Sequence, residues 1–140
     1  MNNSDISRIA LTVRNQWETG EIDWEQLEKS YQAWVQEFGK TNHQLQLNLF
    51  GIKRIVATAK SYFPKGCCGM ASCCLADLIP KSKIVHGHYK KTKRWFLFWN
   101  KTTLEPHTWV MVNDKLIDIT ADQFGGPKIY IGPLLSPWML

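Results

Sequence analysis

"HTWVMVNDKLIDIT", His107 to Thr120, is two runs rich in β-branched and apolar residues joined by Asn113-Asp114. A run of this kind favours the pleated strand, and an Asn-Asp pair tolerates the left-handed backbone of a tight hairpin turn. If Val112 and Lys115 flank a two-residue loop, His107 faces Thr120 and Trp109 faces Asp118 across the ladder. His107 and Asp118 then share one face as diagonal neighbours, within side-chain reach. A loop longer by one residue would turn Asp118 to the other face.

Outward from this hairpin, "KIVHGHY", "RWFLFWN" and "KIYIG" are further short stretches of strand-forming residues bounded by turn signals. Before Pro80 the periodicity is helical. Ile6, Ile9, Ala10, Val13 and Trp17 mark a first helix with Ser4 or Asp5 as cap. Asp23 caps a second, carrying Trp24, Leu27, Tyr31, Trp34, Val35 and Phe38 and stopping at Gly39. A third spans Asn42 to Tyr62, with Leu45, Leu49, Ile52, Val56 and Ala59 on one face. The fourth is "CCGMASCCLADLI", with Cys67, Met70, Ala71, Cys74, Leu75 and Leu78 at helical spacing. Helices first and strands afterwards indicate an α+β domain with an antiparallel sheet. The expectation is one domain over 1–140, helical over 1–62, with the chemistry in 63–140.

The 140 residues suffice for one substantial core. No run is long and apolar enough to span a membrane, and Met1 to Ala10 lacks the pattern of a secretory signal. A cytoplasmic location is expected, or export by a route needing no such signal. There the four cysteines are free thiols. The net charge is +5, and Lys81, Lys83, Lys90, Lys91, Lys93 and Arg94 cluster after the cysteine helix. They read as a solvated connection into a strand Trp95–Trp99, with Lys90, Lys91 and Lys93 available to steer a substrate. The same cluster, interleaved with aromatics, is also the one feature that suits nucleic acid, although no named motif accompanies it.

Four cysteines within "CCGMASCC" invite a metal. Zinc sites pair ligands at C-x2-4-C on tight turns, whereas these are adjacent pairs on a helix. A disulfide frame suits small secreted chains instead. No metal and no cofactor are expected, and Cys74, with Cys67 and Cys73, reads as core filling. A cysteine at the helix start differs, because unpaired N–H groups and the helix dipole favour a thiolate there. His107 would be its base, Asp118 the acid orienting that base, and Asp122 a turn residue.

Cysteine on a helix start, histidine on a strand and acid on the next resemble the papain-like/transglutaminase-like cysteine hydrolase superfamily. "FPKGCCGMAS" is similar to its G-x-C-G-x-A-S helix entry, and "HTWVMVNDKLIDITADQF" to an H-x-W…I-D-x-T-A-D-Q-F hairpin found in small bacterial members. The likeness covers Phe63 to Phe124. It implies Cys68 as nucleophile, His107 as base, Asp118 as orienting acid, and Trp109 as the supporting aromatic after the histidine. The glutamine that precedes the papain cysteine has no counterpart among Ser61, Tyr62 and Phe63. Oxyanion donors would then be backbone N–H groups such as that of Cys68, or the Gln123 side chain. Met70 stands where an acidic residue is expected.

The resemblance implies hydrolysis, deamidation or acyl transfer at an amide of a peptide or protein substrate. The other classes open at this point are a non-catalytic binding module of the same fold and a nucleic-acid binder using Lys81–Arg94.

Overall fold

The computed structural model describes residues 1–39, 54, 56, 58, 59, 61–95 and 99–140. Helix α1 runs Asn3–Thr19 and α2 runs Trp24–Gly39. The cap of α1 is Asn2, not Ser4 or Asp5: its side-chain oxygen accepts the Asp5 N–H at 2.9 Å, satisfying one first-turn donor. Asp23 does the same for α2, accepting from Gln26 N at 3.1 Å. Most of the expected third helix, including Leu45, Leu49 and Ile52, lies outside the described residues. Arg54, Val56, Thr58, Ala59, Ser61 and Tyr62 are helical, with Val56 and Ala59 buried.

Helix α3, Cys68–Leu78, packs against both α1 and α2 and against the sheet. Enclosure on several sides corrects the one-stripe expectation. Met70, Ala71, Ser72, Cys73 and Leu75 are buried, while Cys74 is half-buried and Leu78 is exposed. Small side chains at Gly69, Ala71 and Ser72 suit such a central helix.

The strands are β1 Lys83–Trp95, β2 Trp99–Val112, β3 Lys115–Asp118, β4 Tyr130–Pro133 and β5 Trp138–Met139. They form one antiparallel sheet in the order β4-β3-β2-β1-β5. Lys83–Tyr89 is strand as expected, and Lys90–Arg94 continues it instead of forming a mobile connection, paired from Lys83 with Met111 to Trp95 with Trp99. Charged and polar side chains do not break a strand whose faces are solvated, and the Lys/Thr-rich half of β1 extends past the strands flanking the hairpin. The expected strand Trp95–Trp99 is instead the end of this ribbon; residues 96–98 lie outside those described.

Strand parity gives the sheet two unlike faces. Val110 and Ile117 point to the helices and join Ala10, Val13, Leu27, Met70 and Leu75 in the main core. Trp109 and Leu116 point the other way, into an aromatic cluster with Tyr89, Ala121 and Trp138. His107 belongs to this second face.

Candidate active site

The Val112–Lys115 turn closes as a two-residue loop, with Asn113 at φ 50° and Asp114 at φ 63°. Both central residues are left-handed, as the hairpin turn matching strand twist requires. The register pairs Val110 with Ile117 and Met111 with Leu116, which places His107 and Asp118 on one face. His107 Nε2 donates to Asp118 Oδ2 at 2.6 Å, and both side chains are almost fully buried.

A buried carboxylate is costly unless its lone pairs are filled. Trp138 Nε1 donates to Asp118 Oδ2 at 2.8 Å, and Thr120 supplies its N–H at 2.9 Å and its hydroxyl at 3.3 Å to Oδ1. Asp118 thus accepts four hydrogen bonds and is fixed toward the imidazole. Around His107 stand Phe124 and Tyr89, edge-on with ring centroids 5.1 and 6.0 Å away, and Trp109 at 5.9 Å. Trp109 is itself fully buried. It lies over Gly87, the β1 partner of His107, where any Cβ would collide with the Trp109 ring and with Met139 O. Glycine is required there for the close approach.

Cys68 opens α3 and is half-buried. The body of the helix packs on the opposite sheet face, so the expected common face does not look onto the helix as a whole. Its first residue nonetheless acts on His107. Burial lowers the His107 pKa, but the hydrogen bonds of Asp118 and Cys68 and the charges of both push it up to about 9. Nδ1 of His107 makes no hydrogen bond of ordinary geometry with the described residues. Cys68 is thus felt at the imidazole as a cause of its raised pKa.

Burial raises the pKa of Cys67, Cys73 and Cys74. Burial, with the neighbouring Cys68, pushes Cys67 up to about 11, and burial raises Cys73 still further. Cys67 Sγ donates to Lys65 O at 3.4 Å. Burial also pushes Cys74 up to about 11. These three are held as thiols.

The loop entering α3 turns at Gly66, φ 71°, which only glycine adopts freely. Gln123, on the 3₁₀ turn Ala121–Phe124, accepts the Gly66 N–H through Oε1 at 3.3 Å and donates from Nε2 to Thr120 O at 3.0 Å. It therefore ties the cysteine's entry loop to the hairpin's exit, its amide engaged at both ends. Cys67, the N-cap residue, makes no side-chain capping bond, so its side chain fills none of the first-turn N–H groups of α3.

Asp122 is more than a turn residue. It forms a two-pronged pair with Arg14 of α1, Nη1 donating to Oδ1 and Nη2 to Oδ2, each at 2.7 Å. Arg14 Nη1 also donates to Ile119 O at 2.7 Å, and the guanidinium lies 4.7 Å from the Phe63 ring centroid. Burial opposes this charge, but Asp122 and Glu18 more than offset it and raise the Arg14 pKa.

Of the three residues singled out as nucleophile, base and acid, His107 and Asp118 are hydrogen-bonded, Cys68 contributes to the raised His107 pKa, and Trp109 stands beside the base. Lys90 is on the sheet face opposite His107; Lys91 and Lys93 are on the His107 face, toward the far end of the ribbon. His86 and His88 lie on the other face, with His86 Nδ1 2.9 Å from Thr108 Oγ1. Among the described residues, no three His, Cys, Asp or Glu side chains are grouped to hold a metal, and no helix is long and apolar enough to cross a membrane. Sequence reading missed Trp138, Thr120 and Arg14. Thr120 had a signal, since Asp side chains commonly accept from the backbone two residues on; Trp138 and Arg14 had none. Comparison with protein-family models, with curated proteins and with solved structures finds no match to this chain.

Proposed function

We propose that this protein is a thiol hydrolase or acyltransferase acting on an amide carbonyl of a peptide or protein, with Cys68, His107 and Asp118 as its triad, in the manner of the papain-like and transglutaminase-like enzymes. The observation that carries the reading is the buried His107–Asp118 pair whose free ring nitrogen is influenced by the cysteine opening a helix.

In this reading the Cys68 thiolate attacks the carbonyl carbon, and the oxyanion is held by N–H groups of the first turn of α3. His107, protonated at neutral pH, gives its Nδ1 proton to the departing amine as the carbon–nitrogen bond breaks. The thioester is then opened by water, whose proton goes to Nδ1 as the carbon–sulfur bond breaks, releasing the acid and restoring the thiolate and the imidazolium. A backbone amide gives proteolysis, a glutamine side chain gives deamidation, and an amine in place of water gives acyl transfer. Asp118 keeps the Nε2 proton in place throughout.

Alkylation with iodoacetamide at neutral pH, followed by mass mapping, tests the nucleophile. Cys68 is expected to label well ahead of Cys67, Cys73 and Cys74, and His107→Ala to slow it by about tenfold or more. Four equally sluggish thiols would leave only a binding module.

Asp118→Asn tests the orienter. The imidazolium is the competent acid, so activity is expected to fall as pH rises through about 9. Removing the carboxylate removes a raising partner, so that limb should move to lower pH with reduced turnover. Stability should follow the same sign. A His107 pKa raised on folding stabilises fully below its ordinary value of 6.5 and loses that contribution as pH climbs through about 9. The melting temperature of Asp118→Asn should show less of this dependence, and an unchanged activity limb would remove Asp118 from the triad.

A further inference from the structure

The chain's surplus charge is concentrated on one element. Residues 83–105, the projecting β1–β2 ribbon and its root, carry six cationic side chains against a single carboxylate, Glu105, a surplus of five that equals the +5 of the whole chain. The rest of the protein is balanced, with eleven of each sign. Strand parity then divides the ribbon. Lys91, Lys93, Lys101, Thr103 and Glu105 line one cavity of about 220 Å³, and all five stand on the face that carries His107. Lys90 stands on the opposite face.

The cavity lies along the strand from the candidate nucleophile's partner. Thr103, opposite Lys91, is four residues from His107, and Lys101, opposite Lys93, is six. At about 3.3 Å per residue these pairs are roughly 13 and 20 Å away. An extended peptide covers the same span in the same number of residues.

We infer that the protein substrate carries an acidic segment about four to six residues from its reacting amide, and that this segment docks on the Lys91–Lys93–Lys101 face of the ribbon. The inference rests on the hydrolase reading, since it measures the segment from the residue presented to Cys68. Glu105 decides between an acidic peptide and a nucleic acid. It lies between the lysines and the site, with Oε1 accepting from Thr103 Oγ1 at 3.1 Å. A phosphate backbone would carry negative charge past this carboxylate, whereas a peptide can place carboxylates on the lysines and a neutral residue beside Glu105. The field of such a patch also raises the encounter rate with an acidic partner at low salt.

The full chain bearing Cys68→Ala, which cannot consume a substrate, is titrated by fluorescence anisotropy with glutamine peptides carrying a run of glutamates about four residues to either side of the glutamine. The same peptides with serine for glutamate, and a short single-stranded RNA, complete the set. At about 50 mM salt at least one glutamate peptide is expected to bind about tenfold more tightly than its serine counterpart, with most of the difference lost at about 300 mM. Lys91→Glu with Lys93→Glu should abolish the preference, and Lys90→Glu should leave it nearly intact. If the charge-reversed variant does not fold by circular dichroism, Lys91→Gln with Lys93→Gln is read in the same way. Equal binding of glutamate and serine peptides overturns the proposal, as does an equal loss with Lys90→Glu. RNA binding tighter than any peptide and lost with Lys91 and Lys93 would make the ribbon a nucleic-acid surface. The titration needs no turnover, so an inert Cys68 defeats the hydrolase reading without altering this result, and the converse also holds.

Discussion

Cys68→Ala is expected to abolish amide cleavage, by on the order of 10⁴-fold or more, while the protein folds and melts nearly as the parent does. The size follows from what is removed: the sulfur that, in the proposed mechanism, attacks the carbonyl carbon. The mildness toward the fold follows from position. Cys68 is half-buried at the start of α3, outside the main core, and alanine is a good helix former. Cys67→Ala and Cys73→Ala should behave in the opposite way. Both side chains sit in the main core at 1% and 2% exposure, so each deletion costs on the order of one kcal/mol and leaves iodoacetamide labelling of Cys68 in place. Inactivity of Cys67→Ala in a well-folded protein, with activity retained by Cys68→Ala, would transfer the nucleophile to the neighbouring residue. The two cysteines differ in what surrounds their sulfurs. Cys67 points to the carbonyls of Ala59 and Lys65, whereas Cys68 acts on His107.

What could be read in the sequence divides along the range of the interactions involved. The His107–Asp118 diagonal was legible because it depends on two consecutive strand segments, His107–Val112 and Lys115–Asp118, and the turn between them, and Asn113-Asp114 specifies that turn locally. Helix α2 was legible for the same reason, down to Asp23 as cap. The burial pattern of α3 was not, because a period of 3.6 predicts a single covered stripe and α3 has neighbours on several sides. The outer half of the ribbon was not legible, because a run of charged residues is equally the mark of irregular chain. Cross-strand pairing overrides that where both faces are free to hydrate, and Thr92 opposite Thr102 is as good a strand pair as an apolar one. Trp138, which donates to the same carboxylate oxygen as His107, stands twenty residues beyond Asp118 in a two-residue strand. No local pattern announces so short an element, and its place is set by pairing with His88 and Tyr89.

The second large effect is expected far from the hairpin, at Arg14. Arg14→Met should destabilise the protein by about 3 kcal/mol, because it leaves Asp122 and the Ile119 carbonyl without their donors. The estimate is kept toward the lower end for a broken buried pair, since the Asp122 side chain is 20% exposed and water can partly replace the guanidinium. For a chain of this size that is a fall of about 10 °C in melting temperature. Arg14→Lys should recover only part, since an ammonium cannot hold both Asp122 oxygens and Ile119 O in one plane while lying against Phe63. A combined Arg14→Met, Asp122→Leu protein should be less destabilised than the two single changes added together, because neither partner is then left uncompensated. Additive losses would show that the pair contributes no coupling. Activity gives a separate reading. Phe63 precedes the cysteine's entry loop, and Ile119 and Asp122 flank Thr120 and Gln123, so Arg14 holds together the two segments that bring Cys68 to His107. Below its melting range, Arg14→Lys should therefore alkylate more slowly at Cys68 than the parent, with a lowered kcat. Parental alkylation at that temperature would confine Arg14 to stability. The helical N-terminal part of the chain, which bears none of the triad, would on the first outcome set the geometry of the triad through one side chain.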